Sequence, residues 1–162
     1  MRWIKHLFLD DFAVQRAFPR SALKAIESAI ARQEQRHRGE LRFVVEGGLP
    51  LATFLAGRTA RERAIDLFSR LRIWDTEDNA GALIYLLLAD RRVEIVADRG
   101  IHARVGAAAW DAICREMQSA FAAGRFEAGA IFGVEAISDL IATHFPPGGE
   151  NQNELPDTPV VL

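Results

Sequence analysis

Two apolar segments separated by only three polar residues constrain the fold of this chain more than any other feature. The first is ALIYLLLA, residues 82–89, and the second is the β-branched run VEIVADRG, residues 93–100. The intervening DRR is too short for anything but an antiparallel turn, so the two segments are predicted to form a β-hairpin. The continuous apolar content of the first segment predicts a central strand that is buried on both faces.

The segments around the hairpin predict a sheet covered by helices on both faces. ELRFVVE, residues 40–46, has strand length and is followed by Gly-Gly-Leu-Pro. Thr59 and Glu62 form a capping-box pattern that starts a helix. This helix is predicted to carry three apolar residues on one side: Ile65, Phe68 and Leu71. Strands interspersed with helices indicate an α/β fold with a small sheet between helical layers.

Three further helices are predicted from apolar residues at helical spacing. The first begins near Ser21 and ends at Gly39. Two others cover residues 107–124 and 127–145. We therefore divide the chain into an N-terminal segment (1–20), one α/β domain (21–145) and a polar, proline-rich, mobile C-terminal tail (146–162) with an apolar end.

The composition of the chain is that of a globular protein and argues against several classes of protein. Of its 162 residues, 49% are hydrophobic and 26% are charged, with a formal net charge of −2. A net charge this close to zero does not indicate the basic surface that nucleic-acid binding needs. Cys114 is the only cysteine, so the chain cannot form an intramolecular disulfide. No apolar run has the roughly 18 residues that a membrane span needs. Without a signal peptide pattern, we expect a cytoplasmic protein.

The N-terminal segment is predicted to form a short helix with Trp3, Leu7 and Phe8 on one side. Such a side either docks on the domain or lies on a membrane surface, and docking is the simpler interpretation.

Acidic residues flank the hairpin at the end opposite to its turn. Asp75, Glu77, Asp78 and Asn79 precede the first strand, and Asp98 ends the second. Because the start of one hairpin strand lies beside the end of the other, both clusters are predicted to meet at one edge of the sheet. Oxygen ligands of this kind suit Ca²⁺ or Mg²⁺. Asp and Asn are also common turn residues, and spacing alone favours that structural interpretation.

A second polar group follows the hairpin closely in sequence. His102 and the start of the next helix, near Gly106, could contact an anion such as phosphate. Carboxylates, a cation and an anion contact together would permit metal-assisted hydrolysis of a phosphoester.

The sequence resembles the TPM domain family, small α/β/α proteins that include a thylakoid-lumen acid phosphatase. The resemblance is carried by the stretch DTEDNAGALIYLLLADRRVEIVADRGIHARV, by the stretch AGRFEAGAIFGVEAISDLIATHFP and by the ending NELPDTPVVL. It runs from about Ser21 to the C-terminus and is greatest to a proteobacterial branch. The stretch Asp78-Asn79-Ala80-Gly81 is one residue longer than the D-N-G of many members. Members often have a signal peptide and a membrane-spanning tail, and from its sequence pattern we expect this chain to have neither.

The resemblance implies a Rossmann-like three-layer α/β/α sandwich with a divalent-cation site at the loop edge. Carried over to this sequence, it points to Asp78, Asn79 and Asp98. We derive three hypotheses. The chain is a cation-dependent acid phosphatase in which Asp78 and Asp98 are catalytic, a non-catalytic module that binds calcium or a protein partner, or an interaction domain that uses its apolar C-terminal end. Fold resemblance does not by itself transfer activity.

Overall fold

The computed structural model describes residues 11–148 and 153–162. Four strands form one mixed sheet in the order β3-β2-β1-β4. They are β1 (Glu40–Glu46), β2 (Gly81–Leu87), β3 (Arg92–Ala97) and β4 (Val160–Val161). Strand β1 pairs in parallel with β2 and β4, whereas β2 and β3 are antiparallel.

Seven α-helices surround this sheet in the described part of the chain. They are α1 (Asp11–Ala17), α2 (Arg20–Glu34), α3 (Leu51–Leu55), α4 (Ala60–Arg70), α5 (Arg99–Val105), α6 (Ala107–Ala122) and α7 (Phe126–His144). None of these helices is long and apolar enough to cross a membrane. The predicted apolar side of Trp3, Leu7 and Phe8 lies outside the described residues.

Strand β2 is buried along its whole length and separates two apolar cores, as its sequence predicts. Its residues 82, 84 and 86 pack in the core that contains α2, α6 and α7. Its residues 83, 85 and 87 pack in the core that contains α4. Each fully buried leucine or isoleucine contributes roughly 1.5–3 kcal/mol to folding. The structure therefore confirms the α/β fold with helices on both faces of a mixed sheet.

The β2–β3 hairpin is confirmed, but its turn begins earlier than predicted. Strand β2 ends at Leu87, and a 3₁₀ turn covers Leu88–Asp90 before Arg91 enters the left-handed region with φ 49°. The predicted strand residue Ala89 instead donates its backbone N–H to the Gly47 carbonyl oxygen at 2.9 Å. This bond ties the turn to the end of β1, which explains the earlier turn.

Helix α4 has the predicted capping box, and two of its three predicted apolar residues, Phe68 and Leu71, pack against the core. The Thr59 side chain accepts a hydrogen bond from the Glu62 backbone, and the Glu62 carboxylate accepts one from Thr59. The buried residues are Ala60, Ala64 and Leu67, whereas Ile65 is 49% exposed. The prediction for Ile65 was wrong because two alanines allow the helix to pack closely on the sheet through their own side.

Two other element boundaries differ from the prediction, and two short helices are additional. Helix α2 ends at Glu34 rather than near Gly39, because residues 35–39 turn into β1. The short helices α3 and α5 were not predicted, since each has fewer than eight residues and little periodicity. Strand β3 stops at Ala97, and Asp98 is the N-cap of α5.

The last residues of the C-terminal segment extend the sheet. Val160–Val161 pair with Val44 and Val45 of β1. Upstream, the Glu40 carboxylate accepts hydrogen bonds from the backbone N–H groups of Glu154 and Leu155 at 3.2 and 3.1 Å. Backbone pairing and a buried carboxylate therefore hold residues 154–161 against β1.

Beneath this segment lie two carboxyl groups with raised pKa values. Burial, followed by the nearby Glu40 carboxylate, raises the pKa of Glu34 to about 9. Burial likewise raises the pKa of Glu40 to about 7, although two backbone hydrogen bonds oppose the shift. Both groups therefore bind a proton more tightly in the folded chain than in the unfolded chain.

We expect Glu34→Gln to be more stable than the wild type at pH 8, by more than about 1 kcal/mol. A raised carboxyl pKa gives stability that is complete below the unfolded value near 4.5 and is lost as the pH rises toward about 9. The amide can still accept the 2.8 Å hydrogen bond from the Leu41 N–H. Urea unfolding at pH 5 and pH 8 measures the effect, and exposed Glu116→Gln is the control. An unchanged pH dependence in Glu34→Gln would contradict this prediction.

Candidate functional site

The antiparallel hairpin places Asp98 beside the loop that precedes β2. The Asp98 backbone N–H donates to the Gly81 carbonyl oxygen at 2.8 Å. A Cβ atom at residue 100 would lie 2.6 Å from the Asn79 carbonyl oxygen and 2.8 Å from that of Asp78. Only glycine allows this approach, so the two polar segments meet through backbone contact.

A cavity of about 660 Å³ opens where these segments meet. Its lining residues are Trp74, Asp78, Asn79, Asp98, Arg99 and Gly100. Asn79 has φ 50°, a left-handed conformation that asparagine adopts more readily than most residues. The structure thus brings the predicted residues Asp78, Asn79 and Asp98 to one open site.

Asp98 has two carboxylate oxygens in different environments. Its Oδ1 accepts the Arg99 N–H at 2.7 Å and caps helix α5. Its Oδ2 is buried and has no hydrogen-bond partner among the residues that the structure describes. A buried acceptor without a partner costs roughly 1–3 kcal/mol, and more when it is charged. A ligand that reached this oxygen would therefore satisfy a buried acceptor.

Asp78 is held in place by a basic residue that sequence reasoning missed. The Arg38 guanidinium lies 3.2 Å from Asp78 Oδ2 in a partly exposed ion pair. Arg38 also donates its Nε–H to the Pro146 carbonyl oxygen at 3.2 Å. A cation bound at Asp78 would therefore compete with Arg38 for the same oxygen.

The other predicted site residues do not line the cavity. Asp75 forms an exposed ion pair with Arg72 at 2.8 Å. His102 lies on α5 and is exposed. Glu77 is also exposed, and its backbone N–H donates to the Glu154 carboxylate at 3.2 Å. The structure therefore places a smaller set, Asp78, Asn79 and Asp98, around the cavity.

The Glu77–Glu154 contact connects the C-terminal segment to the loop of the site. Glu154 donates its own N–H to Glu40, so one short stretch contacts both the start of β1 and the loop before β2. The loop that carries Asp78 and Asn79 is thus supported from outside the cavity.

Glu46, whose position depends on strand order, lies at the opposite end of the sheet. It pairs in register with Leu87, the last residue of β2. Its carboxylate accepts two hydrogen bonds from Arg63, at 2.7 and 3.0 Å, and one from the Tyr85 hydroxyl at 2.6 Å. Burial and the Glu46 carboxylate raise the pKa of Tyr85 above its ordinary value. Glu46 therefore belongs to a buried structural network and not to the candidate site.

Sequence reasoning also missed Trp74, Arg99 and Gly100. Trp74 is 49% exposed and lies at the rim of the cavity. The Arg99 side chain makes no ion pair or hydrogen bond within the described residues. Arg99 and Gly100 directly follow Asp98 in the sequence, and this adjacency is the only sequence signal for them.

Hard oxygen donors are the chemically useful groups of this site. Two carboxylates, one amide and nearby backbone carbonyl groups suit Mg²⁺ or Ca²⁺ better than softer metals. Within residues 11–148 and 153–162, no three His, Cys, Asp or Glu side chains form a metal-ligand group. A cation at this site would therefore keep several water ligands, as Mg²⁺ commonly does.

Comparison with known proteins identifies the family. The model of the TPM domain matches residues 14–140. The chain belongs to the TPM domain family. This finding confirms the family resemblance that the acidic loop, the hairpin and the last two helices carry. No curated protein matches the chain significantly.

Solved structures of similar proteins share the fold of this TPM domain. The BA42 protein from the psychrophilic bacterium Bizionia argentinensis is 30% identical, with a TM-score of 0.77. That similarity covers 88% of this chain and 93% of BA42. The N-terminal domain of a protein from P. gingivalis is 17% identical with a TM-score of 0.63, covering 80% of this chain and 82% of that domain. The second similarity shows the fold alone.

We expect Gly100→Ala to disrupt the contact on which the site is built. Its Cβ would press on the carbonyl oxygens of Asp78 and Asn79, so the loop must move, at a cost of roughly 1–3 kcal/mol. Thermal unfolding measures the loss. The control is Gly148→Ala, where a Cβ meets no atom of the described residues within 4 Å. Equal stability of the two variants would contradict the tight contact.

Proposed function

We propose that this TPM domain binds a divalent cation, Ca²⁺ or Mg²⁺, between Asp78 and Asp98. The observation that carries the proposal is Asp98 Oδ2, a buried carboxylate oxygen that has no hydrogen-bond partner in the described part of the chain and belongs to a residue lining an open cavity. Asp78 supplies a second carboxylate, and Asn79 supplies an amide oxygen. Oxygen donors of these types are the ones that both cations prefer.

Cation binding would exchange one positive partner of Asp78 for another. Arg38 neutralises Asp78 through a partly exposed ion pair, which is worth at most about 1 kcal/mol. Displacing Arg38 from Asp78 would therefore cost less free energy than is gained when a ligand pairs with the Asp98 oxygen. Arg38 keeps its contact with Pro146, so it need not leave the surface to release Asp78.

Isothermal titration calorimetry of Ca²⁺ and Mg²⁺ into metal-stripped protein tests this proposal. We expect Asp98→Asn to lower the affinity by at least about 10–100-fold. Asp75→Asn is the matched control, because Asp75 lies in the same loop but pairs with Arg72 outside the cavity. Equal losses in both variants, or no binding by the wild type, would contradict the proposal.

A second candidate function is hydrolysis of a phosphate ester at the same site. The specific observation in its favour is Arg99, which lines the cavity without an ion pair among the described residues. A guanidinium can hold two phosphate oxygens at once. A bound cation would supply charge neutralisation at the phosphoryl group. Asp78 and Asp98 would position the reacting groups, and the cavity is open enough to admit a substrate.

An assay of p-nitrophenyl phosphate hydrolysis distinguishes the enzyme hypothesis from the hypothesis of a non-catalytic binding module. The enzyme hypothesis predicts turnover that requires the cation and is lost in both Asp98→Asn and Arg99→Gln. Cation binding without turnover would support the module that binds calcium or a protein partner. Because Arg99→Gln keeps both acidic residues, it should reduce hydrolysis while cation affinity changes little.

A further inference from the structure

A second cavity lies at the end of the sheet opposite to the cation site. Its volume is about 1410 Å³, and it is bordered by α1, the start of α2, the β2–β3 turn and the α6–α7 connection. Leu88 and Ala89, which follow the carboxyl end of β2, form part of its wall. Most of the remaining apolar lining comes from Ala13, Ala17, Ala22 and Phe126.

Three arginines from distant parts of the sequence line this cavity. They are Arg16 on α1, Arg91 in the β2–β3 turn and Arg125 before α7. All three are exposed, and none of their side chains has an ion pair or hydrogen bond within the described residues. Three guanidinium groups around one cavity repel one another unless an anion joins them.

The acidic residues of the lining do not balance these charges. Asp90 already has an interaction partner, which leaves Glu127 as the other carboxylate. Three arginines and two carboxylates give the lining a formal charge of +1, although the whole chain has a formal net charge of −2. A phosphate monoester carries about −1.5 to −2 at pH 7 and has three acceptor oxygens, so it can pair with more guanidinium groups at once than a single carboxylate can.

The backbone of Arg91 adds an independent observation. It adopts φ 49°, a left-handed conformation that costs a residue with a Cβ roughly 1–2 kcal/mol. Glycine or asparagine would adopt this turn conformation more readily. An arginine held in a strained turn at the rim of a cavity points to a role for its side chain.

We propose that this cavity binds a phosphorylated amphiphile. The phosphate group contacts Arg16, Arg91 and Arg125, and an apolar chain lies on the wall formed by the alanines, Leu88 and Phe126. The volume exceeds the roughly 300–1,000 Å³ of common ligand sites, so it accommodates a ligand with both parts. This proposal does not depend on the cation site.

Titration of the full chain with hexyl phosphate tests the proposal. We expect saturable binding by calorimetry, with NMR shifts in the amides of Ala17, Arg91 and Phe126. Hexanol lacks the phosphate group and inorganic phosphate lacks the apolar chain. Each should therefore bind at least roughly tenfold more weakly than hexyl phosphate. Arg125→Gln and Arg91→Asn should each weaken hexyl phosphate binding by roughly tenfold. Asparagine suits the left-handed turn, so Arg91→Asn removes the cation without adding strain.

Arg115→Gln is the control variant, because Arg115 is an exposed arginine on α6 outside the cavity. The proposal is overturned if hexyl phosphate does not saturate, or if Arg115→Gln weakens binding as much as the two cavity variants. Equal affinity for inorganic phosphate would also overturn it, since the apolar wall would then contribute nothing. Binding to phosphatidylglycerol vesicles without binding to monomeric hexyl phosphate would indicate a membrane-surface contact instead.

Discussion

Arg63→Ala is expected to lower the free energy of unfolding by roughly 3–5 kcal/mol. The substitution removes the guanidinium that donates two hydrogen bonds to Glu46, a residue with only 2% of its surface exposed. The Tyr85 hydroxyl would then be the remaining partner of a buried carboxylate. Breaking a buried pair costs more than forming it gains, because the remaining charge is left uncompensated. Urea unfolding measures the loss.

Two further variants decide whether the loss comes from the buried charge. Arg70→Ala removes an exposed arginine that pairs with Asp66 at 2.9 Å, so it should cost less than about 1 kcal/mol. Adding Glu46→Gln to Arg63→Ala should recover part of the stability, because the amide carries no charge. If Arg63→Ala costs no more than Arg70→Ala, the buried network does not stabilise the sheet as its geometry indicates.

The second large effect concerns Asp98, for which the expected result depends on calcium. In metal-free protein, Asp98→Asn should leave the free energy of unfolding within about 0.5 kcal/mol of wild type or raise it. Asparagine keeps an oxygen that can cap α5, and it replaces the buried, charged carboxylate oxygen by a neutral NH2 group. At a calcium concentration 100 times the dissociation constant, the free energy of unfolding of the wild type should rise by about 2.7 kcal/mol. That of Asp98→Asn should change little.

Thermal or urea unfolding with and without calcium measures this difference. Asp75→Asn should gain as much stability from calcium as the wild type does, because its carboxylate lies outside the cavity. A large loss of stability in metal-free Asp98→Asn would show instead that this carboxylate is a structural group. An equal calcium gain in Asp98→Asn would exclude it as a ligand.

Local signals in the sequence predict those parts of the fold that depend on neighbouring residues. The Thr59–Glu62 capping box and the β2–β3 hairpin both arise from residues close in sequence, and both are present. The hairpin in turn places Asp98 beside Asp78, so the centre of the candidate site follows from a short-range feature. Burial of β2 on both faces follows from its uninterrupted apolar content.

Features that depend on contacts between distant residues could not be predicted in the same way. The Arg38–Asp78 ion pair joins residues on either side of β1, and sequence spacing carries no sign of it. Strand β4 has only two residues and exists through its pairing with Val44 and Val45. The exposed position of Ile65 follows from how closely Ala60 and Ala64 pack on the sheet, which periodicity alone does not indicate.

The most direct test of the cation site is a calcium titration of metal-stripped protein followed by NMR amide shifts. We predict shifts concentrated at residues 78–81 and 98–100, where the loop before β2 contacts the start of α5. The same titration of Asp98→Asn should leave these amides unchanged. Absence of shifts in the wild type at millimolar calcium, or the same shifts in Asp98→Asn, would contradict cation binding between Asp78 and Asp98.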